Sequence, residues 1–198
     1  MQVMTCVGFL SSVGLGGPIS IYADATTLDE IRLRFGYAFD ARGVQGGGVP
    51  DLRLWTIGGA FGIGGQEIVP IPIMHGRRPI LGFRFGAFAY LTDCSAVPPS
   101  SIALLRDLDV LVLDALRRRP HPTHFTVDQA VAMARQIGAR DTYFTHIAHD
   151  LGHAETCGTL PATMSLAYDG LGLEIRDRQF KIQNSQFTIE DSKMQGSQ

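Results

Sequence analysis

Ile68-Val-Pro-Ile-Pro-Ile-Met-His75 is an apolar run that stops on a histidine. Its branched residues predict a strand, which puts His75 at a strand end. Two other runs repeat the design: Phe88-Ala-Tyr-Leu-Thr stops on Asp93, and Thr142-Tyr-Phe-Thr stops on His146. Three such side chains, each ending a different strand, can converge on one edge of a sheet. Imidazole and carboxylate suit zinc, manganese or divalent iron. Taken singly, each has an ordinary explanation. A strand-end histidine can bond to backbone, and Asp93 can cap the turn into Ser95-Ala-Val-Pro-Pro. The recurrence of the pattern favours a metal site.

The flanking segments alternate strands with amphipathic helices. Pro18–Tyr22 reads as a short strand. Thr27-x-x-Glu30 reads as a capping box opening a helix that reaches Phe35, with Leu28, Ile31 and Phe35 on one face. The glycine-rich stretch 36–50 reads as a loop. Leu52–Ile57, Glu67–Ile73, Ile80–Phe85 and Ala87–Thr92 then form β-type runs close enough for antiparallel pairing. Beyond them come a short helix over Pro99–Leu105, a buried strand over Asp109–Asp114 and a helix over Thr126–Ile137. Thr126 is that helix's N-cap, and Val127, Ala130, Val131 and Ala134 are its apolar stripe. Asp141–Thr145 reads as another strand. Tyr168–Ile175 reads as a turn at Asp169-Gly170 and a final strand. Hairpins first and β-α-β units second predict an α/β (α+β) fold with a mixed sheet covered by helices. Residues 1–175 are expected to form one domain, and the polar stretch 176–198 a peripheral or disordered tail.

Composition narrows the function classes. The chain has 198 residues, 45% of them hydrophobic and 18% charged, with a net charge of −2. That balance argues against a nucleic-acid partner and an acidic membrane surface. No apolar run is long enough to span a bilayer. The three cysteines, Cys6, Cys94 and Cys157, are odd in number and scattered. They read as reduced thiols of a cytoplasmic protein.

The remaining histidines extend the pattern. His121-Pro-Thr-His124-Phe-Thr126 leads into a helix N-terminus, where free backbone N–H groups and the dipole suit an anion. His124 can donate a proton, or a hydrogen bond to a phosphoryl oxygen. Arg117, Arg118 and Arg119 lie just upstream and could add charge for a phosphate. Asp114 ends its own strand. His149 and His153 are four apart and would share a face if helical, but no glutamate sits between them as in a zinc protease helix. They are read as supporting residues, as are His121 and Asp114.

In order and spacing, these residues resemble the metallo-β-lactamase superfamily, and within it the phosphodiesterase branch of cyclic phosphodiesterases and tRNA 3′-end processing enzymes. The matching stretches are Pro72-Ile-Met-His75-Gly76, Leu91-Thr-Asp93-Cys-Ser95, Val112-Leu-Asp114-Ala-Leu-Arg117, Pro120-His-Pro-Thr-His124-Phe-Thr126 and Thr145-His-Ile-Ala-His-Asp-Leu-Gly-His153. The resemblance implies a four-layer αββα sandwich and a site for two divalent ions. It implies His75 and His146 as ligands, Asp93 as bridging carboxylate, and His124 in a substrate or proton-donor role. The implied reaction is metal-assisted hydrolysis of a small-molecule phosphodiester.

The family's early His-x-His-x-Asp-His motif has no counterpart here, because the first histidine is His75. The sequence therefore predicts an N-terminally incomplete sandwich holding at most one ion, zinc or manganese, through His75, Asp93 and His146. An exposed sheet edge would favour pairing with a second copy. The rival expectation is an inactive remnant that serves only as a binding or assembly partner.

Overall fold

The computed structural model describes residues 6–9, 19–39 and 52–173. They fall into two compact units that divide between Phe61 and Gly62.

The first unit has a three-stranded sheet of β1 (Cys6–Phe9), β2 (Ile19–Ala23) and β3 (Leu52–Thr56), in that order. β1 is antiparallel to β2, and β3 is parallel to it. Helix α1 (Ala25–Arg34) follows β2 directly. Its cap is not Thr27. Asp24 stands at the N-cap and accepts from the Thr27 amide at 3.0 Å and the Thr27 hydroxyl at 2.6 Å. Thr27 is thereby drawn inside the helix and buried. Leu28 and Ile31 pack with Ala23, Ile21, Leu54 and Phe39. Phe35, expected on that face, ends the helix and is 41% exposed.

The second sheet has seven strands: β4 (Phe61–Ile63), β5 (Gln66–His75), β6 (Arg78–Phe85), β7 (Phe88–Leu91), β8 (Val110–Asp114), β9 (Asp141–Thr145) and β10 (Met164–Leu166). Their spatial order is β10-β9-β8-β7-β6-β5-β4. β5, β6 and β7 are consecutive antiparallel neighbours, and β7 through β10 pair in parallel. The connections of the parallel part carry α2 (Pro99–Ile102) with a 3-10 turn at Ala103–Leu105, α3 (Val127–Ile137) and α4 (His153–Cys157). All five residues of β8 are buried, as a central strand covered on both faces requires.

Topology decides where the strand ends lie. β7, β8 and β9 run the same way, with Leu91 opposite Leu113 and Asp114 opposite Thr145. β5 is separated from β7 by two antiparallel steps, so it also points that way. The carboxyl ends of β5, β7, β8 and β9 therefore share one edge, the usual place for a site in such sheets.

Helix α3 matches its sequence signal closely. Thr126 accepts from the Gln129 amide at 3.2 Å, and the Gln129 side chain accepts from the Thr126 amide at 2.9 Å. Gly138 ends it at φ 75°, a left-handed conformation natural to glycine. Its buried residues are Val127, Ala130, Ala134 and Ile137, so Val131 is displaced from the stripe by Ile137. The last described strand also differs from expectation. It is Met164–Leu166, added in parallel beside β9, whereas Tyr168 to Gly170 form a turn region without a strand. Residues 174–175 of the predicted strand and the 176–198 tail lie outside the described residues.

Candidate metal centre

Four strand ends supply the cluster. His75 is the last residue of β5, Asp114 the last of β8, Asp93 lies two residues beyond β7, and His146 follows β9 at once. Asp93 and His146 adopt left-handed backbone, at φ 56° and 60°. Such a conformation costs a non-glycine residue about 1–2 kcal/mol. Asp and His are among the residues that tolerate it best. Strain of this kind gathers at functional sites, where it aims a side chain that regular strand geometry would turn elsewhere.

The His75 corner is tied to Asp93 by side chain and backbone. His75 Nδ1 donates to the Asp93 carbonyl at 2.9 Å, which leaves Nε2 as the nitrogen with a free lone pair. The Met74 amide donates to the Ala96 carbonyl, and the Ser95 amide to the Met74 carbonyl. The Ser95 hydroxyl accepts from the Gly76 amide at 2.8 Å. Gly76 has φ 64°, and a Cβ there would lie 2.9 Å from Thr123 Cγ2 and 3.3 Å from the Pro122 carbonyl. Only glycine lets this turn close onto the loop that carries His121 and His124.

Within that loop, His121 Nδ1 accepts from the Thr123 amide at 3.3 Å. Arg117 spends its guanidinium on the Arg119 and Pro120 carbonyls, at 3.2 and 3.0 Å, and so shapes the loop. Arg118 reaches Thr159, and Arg119 pairs with Asp150 at 3.5 Å. The arginine run is therefore dispersed rather than gathered as one cationic patch.

Asp114 is fully buried, and both its oxygens are engaged. Oδ2 accepts from the Phe125 amide at 3.1 Å, and Oδ1 lies 3.1 Å from His124 Nδ1. Burial pushes the Asp114 carboxyl up to about 8, against backbone N–H bonds that favour its charged form. Burial also pulls the His124 imidazole down to about 4, and the nearby His146, His75 and His121 rings act in the same direction. Both shifts favour an uncharged pair. With Nδ1 held by Asp114, His124 presents Nε2 to its surroundings.

The rings converge. His124 lies 4.8 Å from His75, 4.9 Å from His121 and 4.7 Å from His146, centroid to centroid. His146 Nε2 stands 3.5 Å from Asp93 Oδ1. Donor atoms of His75, Asp93 and His124 all lie within 4.8 Å of one another, and so do those of Asp114, His124 and His146. The first group fits an ion better, because both oxygens of Asp114 already serve the protein. Within the first group His124 already engages Nδ1 with Asp114. Asp93 has a second imidazole at hand, His146 Nε2 at 3.5 Å from its Oδ1, and imidazole with carboxylate is donor chemistry suited to a divalent ion.

Cys94, next to Asp93, is a packed thiol. It has no exposure, its S–H faces the Ala96 carbonyl, and burial first, then the Asp114 charge, push its pKa up to about 12. His149 and His153 do not form a helical pair, since α4 begins only at His153, behind Gly152. His153 Nε2 instead meets the Leu166 carbonyl at 3.2 Å. Gly76, Ser95 and Thr123 were not read from the sequence as parts of the site. Their link is between distant segments, and only the His-Gly dipeptide after the β5 run hinted at a turn.

The family model described as Beta-lactamase superfamily domain matches residues 8–147. A Porphyromonas gingivalis (strain ATCC BAA-308 / W83) protein named Octanoyltransferase is 33% identical over 184 residues, covering 87% of this chain and 37% of its own length. The crystal structure of a new diphosphatase from the PhnP family is 41% identical, with a TM-score of 0.73 over 81% of this chain and 60% of that one. Zn(2+)-bound PqqB from Methylobacterium extorquens shares the fold, with a TM-score of 0.61 at 16% identity, over 81% of this chain and 66% of that one. The chain thus spans 37% of the curated relative and 60% of the diphosphatase.

Proposed function

We propose, for a chain that belongs to the beta-lactamase superfamily, a role as the metal-binding part of a hydrolase that cleaves phosphodiesters. The chain carries the metallo-β-lactamase-like fold, a mixed sheet with helices. The observation that carries the reading is the convergence of His75, Asp93, His124 and His146 at one sheet edge, with Asp114 behind His124.

In this reading His75, Asp93 and His146 hold a single ion, zinc or manganese. When bound, the ion supplies Lewis-acid polarisation and positive charge at a phosphoryl group. His75 is a rigid ligand because the Asp93 carbonyl fixes its tautomer. His124 acts on the substrate: Asp114 orients its ring through Nδ1, and Nε2 is free to donate to a phosphoryl oxygen or to the leaving group. A substrate-contacting histidine of this kind contributes about 10²–10⁴-fold in rate. His121 lies tilted against His124, 4.9 Å between centroids, and supports it. His149 and His153 serve the scaffold.

A second reading, cleavage of a diphosphate bond, is favoured by the 41% identical diphosphatase. Acyl transfer is not proposed, because the Octanoyltransferase name belongs to a chain of which only 37% is matched. Hydrolysis of bis-p-nitrophenyl phosphate and of inorganic pyrophosphate, with manganese or zinc added, tests both. Turnover of either that disappears in Asp93→Ala supports a hydrolase. No turnover of either, in a folded protein that binds metal, makes the chain a binding or assembly partner instead.

A further inference from the structure

Away from the histidine cluster lies a cavity of about 570 Å³, set against α3 and the segment 159–161. None of His75, Asp93, Asp114, His121, His124 or His146 lines it. We propose that this cavity binds a nucleoside phosphate, gripped by Arg118 and Arg135 over an apolar floor.

The floor explains a residue that the core does not. Val131 is off the buried stripe of α3 and only half-buried, because it faces this cavity with Leu160 and Pro161. The lining runs along one face of α3 from Val127 to Arg135, about 12 Å at 1.5 Å per residue. That length and volume fit a small organic ligand, for which sites of about 300–1,000 Å³ are usual.

Charge selects the class. Two guanidiniums against one carboxylate, Asp128, leave a net positive lining that favours an anion. Guanidinium forks match phosphate geometry, and their planes stack on rings. Arg118 is steadied by the Thr159 hydroxyl at 3.5 Å. Asp128 can accept hydrogen bonds from the hydroxyls of a sugar. Phosphate, hydroxyls and an apolar ring together describe a nucleoside phosphate. The site needs no metal, so the proposal stands apart from the hydrolase reading.

Calorimetric titration of EDTA-treated full chain with adenosine 5′-monophosphate, ribose 5-phosphate and inorganic phosphate tests it. The expected result is saturable binding of adenosine 5′-monophosphate, at least about tenfold tighter than inorganic phosphate. Arg118→Gln with Arg135→Gln should weaken it by about tenfold or more, and Val131→Asp should weaken it as well. Asp93→Ala should leave it unchanged. Absence of saturable binding, affinity no better than that of inorganic phosphate, or loss in Asp93→Ala with retention in the arginine variant would overturn the proposal.

Discussion

Replacing Gly76 with alanine tests how the His75 turn and the His121–His124 loop hold each other. The new Cβ pays for left-handed backbone at φ 64°, about 1–2 kcal/mol. It also meets Thr123 Cγ2 at 2.9 Å and the Pro122 carbonyl at 3.3 Å. Thr123 is short and β-branched, so the contact is relieved only by moving the loop, an overpacking cost of about 1–3 kcal/mol. Gly138→Ala is the control: its φ is 75° but nothing lies within 4 Å of the added Cβ, so it pays the backbone cost alone. Urea unfolding followed by circular dichroism should place Gly76→Ala below Gly138→Ala by about 1–3 kcal/mol, the overpacking increment. Adding Thr123→Ser removes Cγ2, keeps the hydroxyl, and should recover much of that gap. Metal-dependent hydrolysis should fall in Gly76→Ala and persist in Gly138→Ala, because only the first displaces His124 from His75. Equal stability and equal activity of the two single variants, or no recovery in the double, would refute the account of this corner.

Asp114→Ala strands His124 Nδ1 and the buried Phe125 amide, so a loss of about 2–5 kcal/mol in unfolding free energy is expected from two unsatisfied groups. The Asp114–His124 pair also predicts a pH slope for metal-free protein. Asp114 is raised to about 8, so the folded state holds a proton the unfolded chain has released, and stability falls as pH rises toward 8. His124 is lowered to about 4, so its contribution grows as pH rises and is complete above its ordinary value of 6.5. The two oppose each other below about pH 6.5; above it only the Asp114 slope remains, and denaturation midpoints should drop between pH 6.5 and 8 in wild type but not in Asp114→Asn. Nitrogen chemical shifts of His124 in the same protein should stay those of a neutral ring at pH 5.5.

The elements that the sequence disclosed were those with local signals. Asp141–Thr145 was legible as a strand, and Thr126 as an N-cap, because alternation and capping act within a few residues. The strand-end placement of His75, Asp93 and His146 was legible for the same reason. Where two local signals competed, the weaker one misled. Asp24 and Thr27 are both capping residues, and Asp24 won by accepting two bonds from Thr27. Spacing of four suggested a helical His149–His153 pair, but Gly152 starts the helix only at His153. The Arg117 guanidinium was expected at a substrate phosphate, yet nearby carbonyls claim it. Contacts between distant segments were beyond a linear reading. These include Thr123 against Gly76, the Ser95 latch, and the edge strand at Met164–Leu166, whose three residues give too short a pattern to read.

The direct test of the central claim is the metal content of the purified chain after reconstitution with zinc or manganese, measured by plasma mass spectrometry on wild type and Asp93→Ala. One tightly held equivalent in wild type, lost in Asp93→Ala, is the result expected of a site built from His75, Asp93 and His146. Two tight equivalents, or one that survives Asp93→Ala, would contradict it.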